Sequence, residues 1–204
     1  IDSLDEVQIT GLNLLLRKGQ SVVTLEYMLK VDNNARPQAT VFGDATLELA
    51  IPGGATELKA SYTRGPEPIE VPVSRIGANR IGLAAPLTTG QNQIKVAFNV
   101  PWSEGLEILV GANLAVEAWS LLASPENLDI QAMELVADSS QDLPGYLRFL
   151  GPSLDPGRDF PIVVKGHIPS GPPEEVFTTE APADLADAAE AKDKEKGGNY
   201  FPLV

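Results

Sequence analysis

The sequence predicts an all-β protein: an antiparallel β-sandwich, immunoglobulin-like or jelly-roll-like, of about ten to twelve strands. Three observations carry that prediction. Between Gln91 and Trp102, Ile94, Val96, Phe98 and Val100 fall on one side of an extended chain and Lys95, Ala97 and Asn99 on the other, the period-two signature of a half-buried strand. Val23, Leu25, Tyr27, Leu29 and Val31 repeat it between Ser21 and Asp32, with Thr24, Glu26, Met28, Lys30 and Asp32 on the wet side. An aliphatic residue followed by proline closes three segments, at Ile51-Pro52, Val100-Pro101 and Ile168-Pro169, where a missing N–H harms only a ladder that is already ending.

The remaining elements follow in chain order. Residues 1–6 are a polar, acidic lead-in, and Val7 to Leu16 is two short strands or one strand bent at Gly11. Arg17-Lys18-Gly19-Gln20 turns into the strand of Tyr27, and 32–37 is a loop of residues that accept Asx-turn geometry. Thr40 to Ile51 returns as a strand with Thr46, Glu48 and Ala50 on its wet face. Short strands at Glu57–Tyr62, Ile69–Val73 and Arg80–Leu83, separated by Gly- and Pro-rich turns, lead to the strand of Phe98. Beyond Glu104 the pattern becomes more continuously apolar. Leu106–Val110, Leu114–Leu122 and Leu128–Val136 read as buried strands, because Gly105, Gly111 and Pro125 interrupt any helical stripe. Tyr146–Leu150 and Phe160–Ile168 complete the set.

Too few strands lie beyond Glu104 for a second sandwich, so residues 1–169 form one β-sandwich domain and 170–204 a Pro-rich, acidic linker and tail. The net charge of −13 divides as −8 for residues 1–169 (12 basic, 20 acidic) and −5 for 170–204 (3 basic, 8 acidic). Such acidity repels a phosphate backbone, so nucleic acid is excluded as a partner. With no cysteine there are no disulfides, thiolate metal sites or Cys nucleophiles. The chain begins at Ile1 rather than Met, so it is a processed protein or a piece of a longer one; if processed, export is the simplest expectation.

Chemistry-bearing residues are few. His167 is the only histidine, which excludes zinc or iron sites built on two or more histidines; near the end of its strand it reads as a surface or edge residue. Glu104, Glu107, Glu117 and Asp129 are the carboxylates from which a glycosidase pair would be drawn, yet no spacing selects two of them. Asp32-Asn33-Asn34 and the run Asp155 to Asp159 offer oxygen ligands, but turn chemistry explains both. No catalytic, cofactor-binding or metal-binding residue is expected. Tyr27, Tyr62, Trp102 and Trp119 could stack on sugar; Tyr27 and Trp119 read as core, while Trp102, beside Ser103-Glu104-Gly105, reads as a surface residue. The chain closes on apolar Tyr200, Phe201, Leu203 and Val204, which with Trp102 form the expected partner-binding set.

The run from Leu47 to Ala55, then Leu87-Thr88-Thr89-Gly90-Gln91-Asn92 leading into Val96-Ala97-Phe98-Asn99-Val100-Pro101, resembles a family of uncharacterised bacterial envelope proteins associated with carboxypeptidase-regulatory-like β domains. The match spans 22–102, and Thr89 stands where the family pattern has proline. The resemblance implies an extracytoplasmic β-sandwich, in the periplasm or at the cell surface, membrane-associated through a partner or a C-terminal anchor. It brings no catalytic residues. The expectation for function is a non-enzymatic accessory or assembly subunit of an envelope complex or surface filament, with protein partners engaged by strand addition or groove docking. The second reading is a carbohydrate- or other ligand-binding module, and the third a carboxylate-based hydrolase.

Overall fold

The computed structural model describes residues 4, 6–19, 21–63, 65, 67–124, 128–139 and 144–166. These residues form an all-β protein with fourteen strands in three sheets. Three twelve-residue strands lie at the centre of the largest sheet: β1 (Val7–Lys18), β2 (Val22–Asn33) and β8 (Gly90–Pro101). Strands β4 (Thr56–Thr63) and β5 (Pro68–Val71) extend it past β8. Past β1 lie β10 (Trp119–Ser124), β13 (Leu147–Gly151) and β12 (Val136–Ala137). Neighbours pair antiparallel except β1 and β10, which run parallel with Leu12 beside Trp119 and Leu16 beside Ala123.

Two three-stranded sheets lie against the large one. The first holds β3 (Leu47–Ala50), β7 (Arg80–Leu83) and β6 (Val73–Gly77) in that spatial order, and the second β11 (Asp129–Gln131), β14 (Phe160–Lys165) and β9 (Leu106–Val110). They meet where Leu49 bridges Ala112, and where Ala50 N donates to Gly111 O at 2.9 Å and Asn113 N to Glu48 O at 3.1 Å. The inward side chains of β2 and β8, Val23 to Val31 and Ile94 to Val100, are buried against Leu47, Leu49, Ile81, Leu83, Ile108, Val110, Ile162 and Val164. Tyr27 ties the sheets together: its buried hydroxyl donates to Ala50 O at 3.3 Å and Leu109 O at 3.0 Å. Burial raises the phenol's pKa above its ordinary range, with the Asp159 charge adding to the shift.

Both lateral edges of the large sheet end in corners. Pro72 alone separates β5 from β6, so the chain leaves the large sheet and enters a small one within one residue. At the opposite edge, residues 132–135 carry the chain from β11 to β12 in the same way. The sequence reading of Ile69–Val73 and Leu128–Val136 as single strands therefore gives way to strands that change sheets at a turn.

Other differences have local causes. β1 is one strand, kinked by a register shift between Ile9 and Gly11. Of Thr40–Ile51 only β3 is strand, because residues 43–46 close a turn in which Thr46 Oγ1 donates to Gly43 O at 3.2 Å. Thr46 and Ala50 are buried instead of wet, where the edge of β3 pairs with the segment Gly111–Asn113 and Asn113 Nδ2 donates to Thr46 O at 3.4 Å. In Leu114–Leu122 the strand starts at Trp119, whereas Val116 makes isolated bridges to Ile9 and Leu154. Pro101 is the last paired residue of β8, opposite Val22, and β3 stops at Ala50, just before Ile51-Pro52.

Candidate functional site

The residues singled out from sequence do not converge. Tyr27, Tyr62 and Trp119 are buried in the core, where Trp119 Nε1 donates to Pro152 O at 2.7 Å and its ring meets Phe160 edge-on at 5.2 Å. Trp102 is half-buried just past β8: its N donates to Ser21 O at 3.0 Å and its side chain packs against the core. Its indole is thus a partly covered ring, short of the free platform that sugar stacking uses. Glu104, Glu107, Glu117 and Asp129 are exposed, and among the described residues no three His, Asp or Glu side chains come together as a metal site would require. His167, Tyr200, Phe201, Leu203 and Val204 lie outside the described residues, as does the segment 170–204.

The two oxygen-rich loops are held by internal bonds. Asn33 is fully buried and its Nδ2 donates to Ala39 O and Leu87 O, each at 2.8 Å, while Ala35 N donates to Asn33 Oδ1. Asp159 pairs with Arg80 at 2.8 Å, and Arg158 N donates to Asp155 O to close that turn. The second loop closes as an ordinary turn, while the first holds a cis Arg36–Pro37 peptide and a buried Asp32 Oδ1 that has no hydrogen-bond partner among the described residues.

The register of the large sheet aligns one outward row across all eight strands: Val136, Leu150, Ser120, Asn13, Met28, Lys95, Ser61 and Glu70. Its middle is mostly polar, with Met28 the one apolar side chain between Asn13 and Lys95. Glu26, one row away, takes Arg17 at 3.0 Å and Lys95 at 2.8 Å. The Arg17 guanidinium is raised above its usual pKa, first by a hydrogen bond from its side chain to Tyr146 and then by the Glu26 charge.

At the β12 end of this row the character changes. Met133 at the β11–β12 corner is 85% exposed, Val136 62% and its cross-strand partner Leu150 40%, while Ile130, Ala132, Leu135 and Phe149 pack against the core beneath them. Between Met133 and Leu135 stands Glu134, whose φ of 67° lies in the left-handed region. Glu57 has the other positive φ outside glycine, at 54°, and its carboxylate accepts a bond from Asn99 Nδ2 at 2.7 Å. Glu134 makes no hydrogen bond or ion pair among the described residues. Neighbouring acids do have counter-charges close by: Asp138 pairs with Arg148 at 3.4 Å, and Asp129 stands opposite Lys165 in the β11–β14 register. Sequence reading missed this corner because Ala132-Met133-Glu134-Leu135 contains no Gly, Pro, Asn or Asp to mark a turn.

Fold and corner define an all-β protein in which Met133, Val136, Leu147 and Leu150 surface along the β12–β13 edge, while other exposed hydrophobics, Ile69, Ile76 and Phe42 among them, lie elsewhere. No family model matches the chain, and no curated protein is similar to it. Among solved structures, it is similar to a mutant M1 zinc metallopeptidase from Deinococcus radiodurans, at 10% identity and a TM-score of 0.45 over 79% of this chain. The same enzyme bound to a Tyr-Ser-Ala substrate is similar at the same identity and TM-score. The chain spans 42% and 43% of the length of those two structures.

Proposed function

We propose that this chain is a β-sandwich interaction module, a non-enzymatic accessory or assembly subunit of a bacterial envelope complex or surface filament, working outside the cytoplasm. The observation that carries the reading is the β11–β12 corner, where Met133, Val136 and Leu150 surface together above a well-filled core. Isolated exposed aliphatics are ordinary, but adjoining ones at a sheet edge are what a protein contact uses. Strand addition is the weaker mode of contact here. The large sheet's edge strands have four and two residues, and Pro68 and Pro72 bracket the longer one, so little free ladder is offered. Sugar binding has few rings to draw on, because Tyr27, Tyr62 and Trp119 point inward. Localisation outside the cytoplasm rests on the family resemblance across residues 22–102. Native mass spectrometry of the protein drawn from its own source in gentle detergent tests the reading: a mass with bound subunits or a polymer is expected, and a lone monomer at all concentrations would sink it.

A further inference from the structure

We infer that the β11–β12 corner is a docking point for a partner segment that combines aliphatic side chains with a lysine or arginine, the cation meeting Glu134. This rests on the interaction-module reading and names the site and the chemistry of its occupant.

The argument starts at the backbone. A left-handed φ costs a residue with a Cβ about 1 kcal/mol or more, which glycine avoids. The chain nevertheless places a glutamate there, between an exposed methionine and a half-buried leucine. At Glu57 the comparable cost is offset within the chain by the bond from Asn99. At Glu134 nothing in the described residues offsets it, so the carboxylate is presented outward and unmatched beside Met133 and Val136.

Charge then selects the occupant. Residues 128–139 contain Asp129, Glu134 and Asp138 and no basic residue, and the nearby cations Lys165 and Arg148 already face Asp129 and Asp138. A second copy of a chain with net charge −13 would bring more negative charge to this corner, and an anionic membrane surface would be repelled. A basic, aliphatic segment meets both halves of the site: thioether and aliphatic contacts at Met133, Val136 and Leu150, and a cation over Glu134.

The test is a calorimetric titration of the full chain with two short amphipathic peptides of identical leucine pattern, one carrying lysines and the other glutamates, at low and at physiological salt. The lysine peptide is expected to bind saturably and the glutamate peptide not. Met133→Asp and Val136→Asp, at exposed positions that leave the core intact, are expected to weaken binding at least about tenfold. Glu134→Gln is expected to weaken it and flatten its salt dependence, whereas Glu104→Gln, an exposed acid elsewhere, leaves it unchanged. Equal binding by the Met133 and Val136 variants would mean that bulk acidity alone attracts the peptide, and would overturn the proposal. So would equal binding of the glutamate peptide, no binding of either peptide, or a self-association abolished by Met133→Asp, which would make the occupant a second copy. Subunits retained in native mass spectra alongside a failed titration would remove this corner while leaving the interaction module standing.

Discussion

Gly151 has no room for a side chain: a Cβ there would overlap the indole ring of Trp119. The indole cannot retreat, since its Nε1 is bonded to Pro152 O and its ring is wedged against Phe160. Gly151→Ala is therefore expected to cost about 3 kcal/mol, read as a lower urea midpoint with an unchanged slope. Tyr27 gives a second residue-level prediction, in pH. Its phenol keeps its proton in the fold well beyond the 10.0 of an exposed tyrosine, because burial penalises the anion. Above that ordinary value the unfolded chain has lost a proton that the folded chain still holds, so stability falls as pH rises, by about 1.4 kcal/mol per pH unit in that window. Tyr27→Phe is expected to remove this part of the slope while lowering stability at neutral pH by about 1 kcal/mol, because Ala50 O and Leu109 O lose a donor. Denaturation curves of the two proteins at stepped alkaline pH check it; parallel slopes would mean that Tyr27 ionises freely in the fold.

Asn92 pins the start of β8 to its neighbours. Its Oδ1 accepts from Thr88 N, Thr88 Oγ1 and Tyr62 Oη at 3.1, 2.9 and 2.9 Å, and its Nδ2 donates to Val31 O, Thr88 O and Gly90 O at 3.2, 2.8 and 2.9 Å. Asn92→Ala leaves several of these groups buried without partners and is expected to cost about 3 kcal/mol. Its thermal melt checks the cost, and hydrogen exchange should quicken first at the Thr88 amide, which donates to Asn92 Oδ1, if the turn is what loosens. Asn92 also shows how far an element can be read from sequence. The period-two face of β8 is legible because Ile94, Val96, Phe98 and Val100 are apolar; carried one step back, the same period places Asn92 inward, and carried forward in β2 it places Asn33 inward. Both are polar and fully buried, so composition hides what register reveals. The parallel pairing of β1 with β10 has no local signal, since it joins residues more than a hundred positions apart through contacts that neither segment encodes alone. The corners at Pro72 and Glu134 differ for the same reason: proline interrupts its strand visibly, whereas a glutamate in a left-handed turn looks like any strand residue.

For the whole molecule the deciding quantity is uncompensated charge. Residues 1–169 hold 20 acidic and 12 basic residues, a net of −8, yet the ion pairs among the described residues are few and surface-lying: Arg17 and Lys95 on Glu26, Arg80 on Asp159, and Arg148 on Asp138. Each such pair contributes about 0 to 1 kcal/mol. Repulsion among the excess carboxylates acts over the whole compact state and is relieved when the chain expands. Salt screens both effects, the Debye length shrinking from about 30 Å at 0.01 M to about 8 Å at 0.15 M. The pairs touch at 3.4 Å or less, well inside either length, whereas the repulsion acts between carboxylates that are not in such contact and is the more readily screened. The long-range repulsion therefore weakens more than the short-range attraction. Raising the salt is expected to raise the melting temperature by a few degrees, the size of change that about 1 kcal/mol produces in a domain of this length. A melting temperature that falls with salt would show that the few surface pairs outweigh the net charge. It would also weaken the case that acidity selects a basic partner at the β11–β12 corner, because that selection depends on the same unscreened excess.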